Sequence, residues 1–175
     1  MEENIKVGFY TASILQWKHL LKPDKYKDII LNSFQYMVDE SRAKIYAFVI
    51  MPNHILLLWR ILPPWNLMEV QRDFMKFTGQ MIKFDLKQYH PEVLEKFYVG
   101  LKDREYQFWQ RNPMNKLLTS REIVEQKLDY IHHNPVQARW MLVGSPLDYY
   151  YSSIRYYEEN EISFDFLSHY MEVFE

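Results

Sequence analysis

The sequence predicts an α+β protein: an antiparallel sheet with helices on one or both faces. Three observations carry this. Runs rich in β-branched and aromatic residues occupy 5–17, 43–51 and 54–62. Two longer segments, 22–41 and 66–89, instead place apolar residues at helical spacing. The resulting order, βαββα and then a further helix, suits a sheet whose helices pack onto it rather than an all-parallel alternation.

In IKVGFYTASILQW, Val7, Phe9 and Thr11 fall on one face and Gly8, Tyr10 and Ala12 on the other, which defines a first strand. Pro23-Asp24 opens a helix in which Ile30, Phe34, Met37 and Val38 recur at helical spacing. AKIYAFVIM and HILLLWRIL flank the turn dipeptide Pro52-Asn53 and form a strand pair, ended by Pro63-Pro64. The longest helical pattern follows, with Leu67, Val70, Phe74, Phe77, Met81 and Phe84 on one stripe and Lys76, Lys83 and Lys87 among the other faces. Pro91, Gly100 and Pro113 punctuate the next stretch, where YQFWQ reads as a short strand or a loop. Thr119-Ser120-Arg121-Glu122 is a capping box that starts a helix ending at Asn134-Pro135, because proline disfavours helix just before itself. One more short helix is expected in SPLDYYYSSIRYYEEN, and Phe164, Phe166, Leu167 and Tyr170 are placed to pack the chain end.

At 175 residues, 48% hydrophobic and 17% aromatic, the chain is expected to form a single domain over 1–175, with 158–175 an acidic C-terminal extension. It contains no cysteine, which removes disulfides, thiolate nucleophiles and cysteine-bound metals. The first residues lack the basic head and apolar stretch of a signal peptide, and no run reaches the length of a membrane span; a soluble cytoplasmic protein is expected. The net charge of −2 speaks against a nucleic-acid binder, but its distribution does not. Six of the 23 acidic residues lie after Tyr157, where Lys and Arg are absent, so residues 1–157 hold 21 basic against 17 acidic residues, a net of +4. That balance permits a basic groove, over which the acidic tail is expected to fold.

Within MPNHILLLW, His54 shares a strand face with position 56 while Ile55 points to the other, so a metal site on this strand calls for ligands at 54 and 56. On the last long helix Tyr130 and Asn134 are four apart and share a face, with Lys127 adjacent. Taken alone, His54 is by default a hydrogen-bonded structural residue, Tyr130 one of 14 tyrosines, and Asn134 a helix C-cap. The neighbours His132 and His133 diverge by about 100° on a helix and are expected to face solvent or DNA. Lys76, Lys83, Lys87, Lys127 and Arg139 are candidate phosphate contacts, and Trp59, Trp65, Trp109 and Trp140 are either base-stacking or core residues.

YAFVIMPNHILLLW together with LDYIHHNPVQARWMLVGSPLDYYYSS resembles the single-tyrosine HUH transposases, particularly the REP-associated tyrosine transposases. The two blocks occur in the family's order, and with the chain between them they cover most of the protein. The resemblance implies a ferredoxin-like (RRM-like) sheet with a histidine-hydrophobic-histidine pair on a central strand and a helix that supplies a tyrosine. By position His54 matches the first histidine, Ile55 the hydrophobic residue, Tyr130 the nucleophile and Asn134 a polar third ligand. Leu56 departs from the pattern, standing where the family has its second histidine.

The implied function is that of a transposase-like protein that nicks and rejoins single-stranded or hairpin DNA through Tyr130. Mg²⁺ or Mn²⁺ would be held by His54 and Asn134, and Lys76, Lys83, Lys127 and Arg139 would bind nucleic acid. The implied state is a monomer, with a homodimer as the wider family's alternative. Because Leu56 removes one ligand, the rival expectation is a catalytically inactive nucleic-acid-binding module of the same fold.

Overall fold

The computed structural model describes residues 5–175. Its strands and helices, in chain order, are β1 (Gly8–Ser13), α1 (Asp24–Asp39), β2 (Ala43–Ile50), β3 (His54–Ile61), α2 (Leu67–Tyr89), α3 (Pro91–Leu94), β4 (Tyr98–Leu101), β5 (Arg104–Tyr106), β6 (Met114–Leu117), α4 (Arg121–His133) and α5 (Ile154–Glu158). Four strands form one sheet in the order β2-β3-β1-β6, and every adjacent pair is antiparallel. This is the ferredoxin-like βαββαβ arrangement, with the β4–β5 hairpin inserted before the last strand and α4 added after it.

Register decides which residues share a face. Ser13 pairs with His54 and Thr11 with Leu56, so Phe9, Thr11, Ser13, His54, Leu56 and Leu58 lie on one side of the sheet. Tyr10, Ile55, Leu57 and Trp59 lie on the other. That second side packs against α1 and α2: Phe34 of α1 meets Phe48 of β2 at 5.7 Å between ring centroids and stacks on Phe74 of α2 at 5.9 Å. Tyr10 and Trp59 lie 4.6 Å apart beneath them, and the Trp59 indole donates to Asn115 Oδ1 at 2.9 Å. Helix α4 packs toward β2 and β3, burying Val124, Leu128, Ile131 and His132.

Four sequence expectations need correction. On α2 the buried row is Val70, Phe74, Thr78, Ile82 and Leu86, whereas Phe77, Met81 and Phe84 are exposed. The helix carries more apolar residues than one face can hold, and the row spaced by four met the core. Helix α4 is capped by Ser120, whose Oγ accepts from the Ile123 N–H at 3.3 Å, rather than by a box starting at Thr119. His132 does not face solvent: it is buried, with Nε2 2.8 Å from Ser153 Oγ. The acidic tail does not fold over a basic groove. It runs along the outer edge of β2, where the Ser168 N–H donates to Ile45 O at 2.9 Å and Lys44 pairs with Glu172 at 2.8 Å. Phe164 and Phe166 close the aromatic cluster there against Phe48, at 5.2 and 5.6 Å.

Among the described residues no helix is long and apolar enough to cross a membrane.

Candidate functional site

His54 is the first residue of β3, a central strand, and faces the α4 side of the sheet. Its imidazole is oriented by Asn53 in the β2–β3 turn. The Asn53 amide Nδ2 donates to the Trp17 carbonyl at 3.4 Å, which leaves Oδ1 to accept from His54 Nδ1–H at 2.7 Å. The proton on Nδ1 leaves Nε2 with its lone pair, the form that binds a metal or accepts a hydrogen bond. Burial pushes the His54 imidazole down to about 4, the nearby Asn134 amide opposes that shift, and the positive charge of Arg139 adds to it. The ring is therefore neutral at pH 7.

Asn134 ends α4 and is fully buried, yet neither Oδ1 nor Nδ2 forms a hydrogen bond among the described residues. Its amide lies close enough to His54 to favour the imidazolium without meeting hydrogen-bond geometry. A fully buried amide with both ends unpaired is costly, on the order of 1–3 kcal/mol per group, and a ligand for it is the direct way to recover that cost. Leu56, two residues along β3 on the same face, is 3% exposed and offers only hydrocarbon. No cluster of three His, Cys, Asp or Glu side chains suited to a metal occurs among the described residues. His54 Nε2 keeps its lone pair and the buried Asn134 amide has no hydrogen-bond partner among the described residues, while position 56 supplies no donor.

Tyr130 projects from α4 at 42% exposure, edge-on to Phe9 with ring centroids 6.1 Å apart. Lys127, one turn earlier, stands 4.9 Å from the Phe9 ring and 6.0 Å from the Tyr130 ring. An open cavity of about 880 Å³ brings these parts together: Phe9, Thr11 and Ser13 of β1, His54 and Leu56 of β3, and Tyr130 of α4 all line it. Lys22, Arg139, Trp17 and Trp140 complete much of its wall.

Of the residues expected from sequence, Tyr130, His54 and Arg139 meet at this cavity, Lys127 borders it through Phe9 and Tyr130, and Asn134 sits buried beside His54. Lys76 and Lys83 do not. They lie on α2, across the sheet, in a separate groove. Trp59 and Trp109 are core residues. Trp17 and Lys22 were missed from sequence. Trp17 is the tryptophan most open to solvent, at 63%, held at the cavity rim by left-handed backbone at Gln16 and Trp17, with φ of 56° and 59°. Two consecutive non-glycine residues at positive φ are a costly conformation that a pattern of residue types does not signal.

The chain has an α+β fold, a four-stranded antiparallel sheet flanked by helices, that it shares with a solved transposase. A solved REP-associated tyrosine transposase bound to a REP hairpin shares this fold with a TM-score of 0.64 and 18% identity, over 89% of this chain and 80% of that one. A candidate transposase from Deinococcus radiodurans R1 aligns with a TM-score of 0.47 and 12% identity, over 73% of this chain and 88% of that one. No protein-family model matches the sequence, and no curated protein matches it.

Proposed function

We propose that this chain is a DNA-binding, transposase-like protein that holds single-stranded or hairpin DNA in the Tyr130 cavity and nicks and rejoins it through Tyr130. The observation that carries the reading is the convergence of Tyr130, His54 and flanking cations on one open cavity of the sheet. The REP hairpin bound by the structural neighbour supports DNA as the partner. In this reading the protein acts as a monomer.

Each residue has a definable role. Tyr130 Oη attacks phosphorus, forming a 5′-phosphotyrosine while the departing oxygen takes a proton and becomes a free 3′-hydroxyl. A 3′-hydroxyl attacking the same phosphorus reverses the step and restores the tyrosine, so strands are joined without a nucleotide cofactor. Lys127 and Arg139 supply positive charge near the phosphate, and Trp17 offers a face on which an unpaired base stacks. His54 and Asn134 would hold Mg²⁺ or Mn²⁺, which polarises the phosphate when bound. Asn53 keeps the His54 lone pair on Nε2 for that purpose.

A second reading, favoured by Leu56, is a nucleic-acid-binding module in which this chemistry is lost. Loss of a supporting group around a metal typically costs about 10–100-fold, and loss of a direct ligand at least that.

One experiment separates the two. Purified protein, Mn²⁺ and labelled hairpin DNA with a single-stranded flank are tested for a denaturation-resistant adduct. The proposal expects a weak wild-type adduct, abolished by Tyr130→Phe and raised at least tenfold by Leu56→His. An adduct in Leu56→His but none in wild type establishes the binding-only reading. No adduct in either protein, or one that survives Tyr130→Phe, removes Tyr130 from the chemistry.

A further inference from the structure

We infer that the outer face of the α1–α2 helix pair is an interaction surface for a second copy of this chain, which associates about a two-fold axis running along the helices. The inference does not depend on the DNA chemistry proposed above.

The face is turned away from the sheet. Two contacts tie the helices side by side: Tyr26 Oη of α1 donates to Asp85 of α2 at 2.7 Å, and Arg42, just beyond α1, pairs with Asp73 of α2 at 2.9 Å. The early part of α1 thus lies beside the late part of α2, so the helices are antiparallel. Between the two contacts, Phe77, Met81 and Phe84 form a row at i, i+4 and i+7 that points to solvent. Tyr36 of α1 joins the row through Arg42, whose guanidinium donates to Tyr36 Oη at 3.2 Å as well as to Asp73. These four side chains are between 42% and 68% exposed. Together they present roughly 400 Å² of mostly apolar surface, a size that marks an interaction site.

Charge points to the occupant. On one side of the patch α1 carries Asp28, Asn32, Gln35 and Asp39; on the other α2 carries Lys76, Gln80, Lys83 and Lys87. Each set is spaced four, three and four residues apart, which makes a single row on a helix surface. Among the described residues the three lysines have no carboxylate partner and the two aspartates no cation partner. Asp28 accepts from Tyr151 Oη at 2.8 Å and Asp39 from the Gln35 amide at 2.9 Å, neutral donors that leave both charges uncompensated.

Because the helices are antiparallel, the acidic row runs from the Lys87 end of the basic row to the Lys76 end. A two-fold axis along the helices lays the α1 row of each copy against the α2 row of the other, so that Asp28 meets Lys87 and Asp39 meets Lys76 while the apolar rows meet at the axis. A two-fold axis across the helices would instead set like charges together. A partner helix of one charge sign satisfies one row only, whereas a second copy satisfies both. Helix α1, with 16 residues, is about 24 Å long and two packed helices are about 20 Å across, so the face offers on the order of 500 Å² per copy. A standard interface uses about 800 Å² per partner, which places this association in the micromolar range or weaker. Each Tyr130 cavity lies on the other side of its sheet and is complete within one chain, so the single chain remains the acting unit.

Sedimentation equilibrium of the full chain without DNA, from about 1 to 500 μM, tests this. The wild type is expected to dimerise, and Met81→Glu to raise the dissociation constant at least tenfold with thermal unfolding unchanged. Lys76→Glu/Lys87→Glu and Asp28→Lys/Asp39→Lys each set like charges face to face and should each lose the dimer. An equimolar mixture of the two should regain it, because every row again meets the opposite charge, and should fail to do so when both chains also carry Met81→Glu. Lys76→Glu mixed with Asp39→Lys serves in their place should a double variant lose its thermal transition. A wild type that stays monomeric throughout overturns the inference and leaves the face to a different protein. A dimer untouched by Met81→Glu, or a mixture that does not regain it, overturns it as well.

Discussion

His54 and His132 are held neutral by the same cause, burial, but to different ends. His54 faces an open cavity and keeps Nε2 available. His132 is enclosed between α4 and the sheet, bonded to Ser153 Oγ, which in turn accepts from the Phe48 N–H at 3.0 Å. Burial pushes His132 down to about 3, with a smaller push from His133. Between pH 6.5 and 3 the unfolded chain therefore binds a proton at this position that the folded chain refuses. Stability rises with pH through that window and is complete above it, by about 1.4 kcal/mol per pH unit for one proton. His54 adds a second proton between pH 6.5 and 4. Denaturant unfolding at pH 7 and pH 5 should show His132→Gln losing about half of the wild-type pH dependence; an undiminished dependence would count against a buried neutral His132. At Tyr130 and Leu56 the corresponding test is the adduct experiment, where the direction of the Leu56→His effect reads out whether ligand supply limits the chemistry.

Among the elements, α4 matters most, because it carries Tyr130, Lys127 and Asn134 to the sheet. Its start depends on Ser120, and Ser120→Ala should cost about 1 kcal/mol of stability, measured by chemical unfolding, with Ser120→Asn restoring most of it. A cap substitution that changes nothing would mean that the packing of Val124, Leu128 and Ile131 alone defines the helix start. Helix α2 shows where periodicity misleads. Leu67, Val70, Phe74, Phe77, Met81 and Phe84 follow helical spacing, yet the row that reached the core runs through Thr78, whose Oγ1 satisfies the Trp109 indole. A threonine on the buried face was invisible to an apolar count, and the partner that made burial favourable came from 31 residues away.

On the scale of the whole molecule, the acidic C-terminal segment is a part of the packing rather than a screen for the basic surfaces. Phe166 is buried against Phe34 and Phe48, at 5.9 and 5.6 Å. Phe166→Ala should accordingly cost about 3–5 kcal/mol and lower the melting temperature, while DNA affinity at a temperature where the variant is folded stays near wild type. A tail that acted by charge alone would give the reverse: little change in stability and tighter binding at low salt. The sheet separates an α4 side, with the tyrosine cavity, from an α1–α2 side, with the outer helix face that meets a second copy.

The sequence by itself determined β1, β2 and β3, the long helices, the β2–β3 turn and the antiparallel sheet, because these follow from local spacing and turn chemistry, whereas β4, β5 and β6 were not legible in it. It also singled out His54, Leu56 and Tyr130, whose positions are legible in two short blocks. Tertiary structure alone decided which row of α2 is buried, that His132 is enclosed, that Lys76 and Lys83 lie across the sheet from Tyr130, and that Trp17 stands at the cavity rim. Each of these depends on what another segment brings to the same place, and a strand register or a left-handed turn arranges such meetings between residues that a linear pattern keeps apart.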